Sequence, residues 1–184
     1  TDGITLRGPN AGFVGDSDRR GPEAVIKLTN SQQVSVKSQG IKINGFSFNF
    51  AKRAIYSASG SSDSLYTNNR FEMAEGESSD EYAIRIEGDT TGTDVTDNLF
   101  TDIVSDDGTS GDNVNGIVVR DPDGTSILRN NFSTVDTAVN VGDRGPNAGK
   151  LVVKDNDFSG VTQFGAVVLN NDDSSLNVEI SSNT

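Results

Sequence analysis

The chain has 184 residues, with 27 acidic side chains against 15 basic ones and a formal net charge of −12. It contains no cysteine, histidine or tryptophan, which excludes disulfides, thiol nucleophiles, Cys/His zinc sites and triads that depend on imidazole. The charge argues against nucleic acid, whose phosphates demand lysine and arginine, and no apolar run reaches the ~20 residues of a membrane helix.

Length favours one domain, 1–184. Because the sequence begins with Thr1 rather than Met, it reads as a mature or excised piece of something larger. The acids are 20 Asp and 7 Glu, and the bases only 6 Lys beside 9 Arg. Turns account for much of the aspartate, since its short side chain bonds local amides and tolerates left-handed backbone. They do not account for the scarcity of lysine. A surface of that kind matches halophilic proteins, and salt relieves the self-repulsion of so acidic a chain.

Taken in chain order, residues 1–23 are expected to supply part of a turn that precedes the first full one. Their Arg7-Gly8-Pro9-Asn10-Ala11-Gly12 recurs as Arg144-Gly145-Pro146-Asn147-Ala148-Gly149. Proline fixes φ while Asn and Gly accept positive φ, so the hexapeptide encodes a loop shape. It is not a phosphate loop, because the lysine and the following helix are missing. Residues 24–28, Ala-Val-Ile-Lys-Leu, read as an early copy of the small-apolar-x-apolar element that recurs later in each period, with its register open.

From there a repeat takes over. Asn-x-Phe stands at Asn44-Gly45-Phe46, Asn69-Arg70-Phe71, Asn98-Leu99-Phe100, Asn130-Asn131-Phe132 and Asn156-Asp157-Phe158, and Asn183 begins another copy. The Asn spacings are 25, 29, 32, 26 and 27 residues, with Ile41, Tyr66, Val95, Ile127, Val153 and Ile180 each three residues earlier. A second element follows within each period: Ala54-Ile55-Tyr56-Ser57, Ala83-Ile84-Arg85-Ile86, Gly116-Ile117-Val118-Val119, Ala138-Val139-Asn140-Val141 and Ala166-Val167-Val168-Leu169. Short alternation, β-branched residues and flanking Gly, Asp and Asn mark strands. No segment carries a helical period of 10 residues or more.

Each period therefore holds at least two strands, and stacking in register sets equivalent residues about 4.8 Å apart. Ile84, Ile117, Val139 and Val167 then make one inward ladder, and Ile86, Val119, Val141 and Leu169 a second. Phe46, Phe71, Phe100, Phe132 and Phe158 stack as an aromatic ladder. Asn44, Asn69, Asn98, Asn130 and Asn156 line a repeated bend, where their amides bond one another along the axis. The expectation is an all-β solenoid of about six to seven turns with roughly 25–32 residues per turn.

Three stretches bear on sites. The longest loop, residues 103–115, offers Asp106, Asp107, Asp112 and Asn113 as oxygen ligands for Ca²⁺, although it has no EF-hand spacing and reads more readily as a solvated, turn-rich loop. Asp121-Pro122-Asp123-Gly124 and Asp172-Asp173-Ser174-Ser175 read as turns. Outward residues give the third candidate: Tyr56, Arg85, Val118, Asn140 and Val168 form one row, and Ala58, Glu87, Arg120, Gly142 and Asn170 the next. Tyr56, Arg85, Arg120 and Asn140 combine an aromatic platform with donors suited to a sugar, while a cross-strand Glu87–Arg120 pair is the plain structural alternative.

The stretch from Gly3 to Phe48, with Ile4-Thr5-Leu6-Arg7-Gly8-Pro9-Asn10-Ala11-Gly12, Arg20-Gly21-Pro22-Glu23-Ala24-Val25-Ile26 and Ile41-Lys42-Ile43-Asn44-Gly45-Phe46, resembles secreted right-handed parallel β-helix proteins of the pectate-lyase-like fold. The resemblance covers essentially the whole chain. It implies architecture and says little of function, since that fold hosts lyases, hydrolases, adhesins and viral fibres. A leucine-rich repeat has a similar period, but eight Leu in the whole chain cannot fill it.

Lyases of the fold abstract a proton next to a uronate carboxylate, for which Arg85, Arg120 and Lys154 are available as bases and Glu87 and Asp121 as carboxylates. Its glycosidases use paired carboxylates, as Asp106 and Asp107 superficially are. The histidine motif of polygalacturonases and the esterase signatures are missing. The expected function is thus a non-catalytic, extracellular or cell-surface β-helix, a rigid fibre, surface or adhesin segment. Its partner is itself or a neighbouring solenoid segment, end to end. The alternative is a polysaccharide-binding or polysaccharide-degrading module, a lyase or glycoside hydrolase if an enzyme. Neither nucleic acid nor direct membrane insertion is expected, and Ca²⁺ is the one cofactor candidate.

Overall fold

A computed structural model describes residues 3–74, 81–105, 114–142, 149–170 and 176–184. Within them, eighteen strands numbered in chain order make three sheets. The first sheet runs β1 (Thr5–Arg7), β4 (Lys42–Asn44), β7 (Leu65–Thr67), β10 (Asp94–Thr96), β13 (Thr125–Leu128), β16 (Lys150–Lys154), β18 (Asn177–Ser181). The second runs β2 (Val25–Leu28), β5 (Ser47–Phe50), β8 (Arg70–Met73), β11 (Leu99–Thr101), β14 (Asn131–Phe132). The third runs β3 (Val34–Val36), β6 (Arg53–Ser57), β9 (Glu81–Ile86), β12 (Val114–Arg120), β15 (Val135–Gly142), β17 (Val161–Asn170). All pairings between these neighbours are parallel. Through β15, each sheet takes every third strand in turn. This all-β, all-parallel arrangement is compatible with a solenoid.

Register explains the core. Ile43, Tyr66, Val95, Ile127 and Val153 align across the first sheet and are buried. Ile55, Ile84, Ile117 and Val139 align across the third and are fully buried. Between them, the rings of Phe48, Phe71, Phe100 and Phe132 stack at 5.0, 5.0 and 4.7 Å, close to the strand repeat, and Phe158 follows at 5.2 Å with a tilt. Each fully buried Phe contributes about 1.5–3 kcal/mol of transfer energy. Gly116 replaces the alanine of the other copies for a steric reason: a Cβ there would stand 2.8 Å from Ala138 O and 2.9 Å from Phe132 Cε1. Tyr66 enters an otherwise aliphatic ladder because its hydroxyl reaches Ser57 Oγ at 2.9 Å, and Ser57 reaches Ser61 at 3.0 Å. Leu169 aligns with Val141 as expected but is 47% exposed, because β17 is the last strand of its sheet.

The bends carry an asparagine ladder. Asn69, Asn98, Asn130 and Asn156 each donate their backbone N–H and one amide hydrogen to the Oδ1 of the next, ending on Asn183, at 2.9–3.2 Å. The amide nitrogen of each also donates back to Ile43, Tyr66, Val95, Ile127 and Val153 carbonyls respectively, Asn183 included, at 2.9–3.1 Å. Both amide hydrogens and the carbonyl oxygen of each interior Asn are thereby used, which buried amides require. Ahead of each Asn stands a left-handed residue: Asn68, Asp97, Arg129, Asp155 and Ser182, with φ between 53° and 58°.

The first repeat is displaced from its sequence motif. Phe48, not Phe46, pairs with Phe71, and Ile43, not Ile41, pairs with Tyr66. Gly45, at φ 81°, takes the left-handed bend position, so Phe46 stands where later turns place Asn. Its N–H donates to Asn69 Oδ1 at 3.1 Å, while its ring tilts 59° from Phe48. Asn44 therefore lies on β4 outside the ladder, its Oδ1 accepting from Asn68 at 3.1 Å.

Residues 8–23 do more than prefix a turn. After β1 the chain crosses the bends of later turns as a strap: Gly15 N donates to Asp97 O at 2.9 Å, and Asn131 Nδ2 to Asp16 Oδ2 at 3.1 Å. Arg20, its side chain 3% exposed, donates to Asn68 O at 2.7 Å and pairs with Glu23. Asn10 closes the strap on itself, accepting from Gly21 N at 2.7 Å.

Candidate functional site

The strands of the third sheet turn one side to the core and the other outward. With Ile55, Ile84, Ile117 and Val139 inward, Tyr56, Arg85, Val118, Asn140 and Val168 lie in register on the outer face. The row is partly covered rather than open: Tyr56, Arg85, Asn140 and Arg120 are intermediate in burial and Val118 is buried.

Its polar groups are already tied to one another. Arg85 Nε pairs with Glu87 Oε1, two residues along the same strand face, where the sequence reading set Glu87 against Arg120. Beside them, burial, followed by the Glu87 charge, raises the Tyr56 pKa above the ordinary phenol value. Asn140 Nδ2 donates to Asn115 Oδ1 at 3.1 Å. Arg120 lies against the neighbouring strand, its guanidinium over Gly142, where an added Cβ would meet it and push the arginine aside.

Two residues of this face escape the alternation rule. Arg53 and Tyr82 pair in register, and the pairing then passes over Ala54 and Ala83 to Ile55 and Ile84. The local irregularity puts Tyr82 outward, where Arg53 Cζ stands 5.4 Å and Arg85 Cζ 5.7 Å from its ring centroid. Both distances lie within cation–π range. Burial outweighs the two cations and raises the Tyr82 pKa. The available signal was the inverted order of Arg-Ala-Ile-Tyr at 53–56 and Tyr-Ala-Ile-Arg at 82–85.

Of the candidate bases, Arg85 and Arg120 share the third sheet, whereas Lys154 is on the first. Asp121 follows β12 at φ 45°, in the turn that leads to β13. Asp106, Asp107, Asp112 and Asn113 lie outside the described residues. Among the described residues no group of three or more acidic side chains gathers to hold a metal ion, and no helix is long and apolar enough to cross a membrane. Comparison with protein-family models, curated proteins and solved structures returned no match.

Proposed function

We propose that the chain is a right-handed parallel β-helix of about six to seven turns that serves as a rigid, non-catalytic segment of an extracellular surface, fibre or adhesin. The observation that carries this reading is the unbroken Asn69–Asn98–Asn130–Asn156–Asn183 ladder beside the stacked Phe column. A structure in which every turn satisfies the next resists bending and presents the same surface at each repeat. Leu6 at one edge of the first sheet and Ile180 at the other are 44% and 49% exposed, so each edge has apolar surface for a neighbouring segment. The acidic surface suits a halophilic setting, where salt screens it. Light scattering and electron microscopy at low and molar salt test the reading. Rods growing in multiples of one particle length support it, and a strictly monomeric particle at every salt counts against end-to-end assembly.

A second reading rests on the pre-tied row of Tyr56, Arg85, Arg120 and Asn140. Side chains held by Glu87 and Asn115 lose little freedom on binding, which favours an extended polysaccharide along the face. Binding to a glycan panel that is lost in Arg85→Ala and Arg120→Ala supports it, and no binding across the panel removes it.

A further inference from the structure

The outer face of the third sheet holds two residues, Arg53 and Tyr82, that neither reading uses. Arg53-Ala54-Ile55-Tyr56 on β6 lies beside Tyr82-Ala83-Ile84-Arg85 on β9, with Arg53 opposite Tyr82 and Tyr56 opposite Arg85. Arginine and tyrosine thus alternate both along each strand and across the pair. Two guanidiniums share one ring, at 5.4 and 5.7 Å.

Only one of those charges has a carboxylate. Glu87 engages Arg85. Arg53 Nε and Arg85 Nε are both shut off from solvent with no hydrogen-bond acceptor, and what separates the two is the ion pair: among the described residues no acidic side chain pairs with Arg53. Among the described residues, a half-buried cation beside a second cation is thus left without an anion. Desolvating a cation without a partner is costly, and an incoming anion recovers that cost.

We propose that Arg53, Tyr82 and Arg85 form a binding site for a single carboxylate group. The terminal nitrogens of Arg53 take its two oxygens, Tyr82 fixes the plane of the guanidinium from below, and Arg85 adds a second positive charge. A planar fork matches a carboxylate in a way it does not match a spherical halide. Glu87 is the internal competitor, since it already draws on Arg85. The site requires only the carboxylate and stands whether or not a glycan lies along the face.

The test is a titration of the intact, ¹⁵N-labelled protein with sodium acetate against sodium chloride at equal ionic strength, following the Nε–H resonances of Arg53 and Arg85, of which the second remains as the reporter in Arg53→Lys. A saturable shift in acetate that chloride does not reproduce is expected. Arg53→Lys keeps the charge but loses the fork, and should weaken acetate binding about ten-fold. Glu87→Gln should strengthen it, and this variant carries the test should Arg53→Lys fail to fold. Glucuronate and N-acetylglutamate then distinguish a sugar acid from an acidic side chain as the source of the group. Shifts that merely follow ionic strength, or acetate affinity unchanged in both variants, overturn the proposal.

Discussion

The side-chain amide of Asn98 donates to Oδ1 of Asn130 at 2.9 Å, across 32 residues of sequence. Both residues are 1% exposed, so neither amide has water to fall back on. Asn98→Ala removes the acceptor for two Asn69 donors and leaves them buried. The expected loss is about 2–4 kcal/mol, because an unsatisfied buried donor costs more than a made bond gains. Asn183→Ala, at the partly exposed end of the ladder, should cost about 1 kcal/mol. Urea unfolding of the two variants checks the difference, and equal costs would mean that the ladder does not act as a relay.

The displaced first repeat gives a sharper test of register. Phe48 is 1% exposed and stacked on Phe71, whereas Phe46 is only partly buried beside it. Phe48→Ala should cost about 3–5 kcal/mol and Phe46→Ala clearly less. The reverse order would restore the register that the Asn-x-Phe motif implies.

That displacement shows what the sequence made legible. Periodicity located the ladders because parallel stacking repeats the same environment at every turn, and Phe71, Phe100 and Phe132 fell where spacing put them. It misplaced Phe46 because one motif had two causes. Later turns use a left-handed Asn, Asp, Arg or Ser followed by a ladder Asn, while the first uses Gly45 followed by Phe. Local pattern cannot tell an Asn before the bend from an Asn after it. Tyr82 was missed because alternation assumes an unbroken strand, and the pairing skips Ala83. The strap was invisible for a different reason: Gly15 and Arg20 act through backbone carbonyls of Asp97 and Asn68, which leave no mark in side-chain pattern.

Gly15 offers a way to free the strap without touching the core. A Cβ there would stand 2.3 Å from Leu99 N and 2.5 Å from Asn69 O, backbone atoms held within the sheets and bends. Gly15→Ala should therefore lift the strap. Limited proteolysis is expected to cut within residues 13–19 in the variant and not in the parent, while the far-UV spectrum stays that of the parallel sheets. A variant that resists protease like the parent would show that the strap tolerates the extra carbon.

Acid should act on the same element. Burial raises the Glu23 pKa, but hydrogen bonds from Arg20, Ser47 and Asn10 more than offset it and hold the carboxyl below its ordinary value. A depressed carboxylate pKa contributes stability that is present above the ordinary range and lost as pH falls through the folded value. Strap cleavage should therefore rise as pH drops below the usual carboxylate range, and Glu23→Gln should blunt that rise. Cleavage independent of pH in the parent would set Glu23 aside.

At the alkaline limit, the chain contains three tyrosines, and burial raises the pKa of Tyr56, Tyr66 and Tyr82 alike. A raised phenol pKa contributes stability that is complete below the unfolded value, about 10, and fades as pH climbs toward the folded one. No tyrosine should thus ionise at its ordinary value in the native protein. Absorbance at the phenolate band should stay flat through that pH and then rise together with loss of the sheet signal. Tyr66, fully buried and bonded to Ser57, sets the last of these ionisations, since it cannot lose its proton without opening the core. A phenolate signal near pH 10 with the sheets intact would place at least one of the three rings in water, and Tyr56, the least buried, would be the first to assign by Tyr56→Phe.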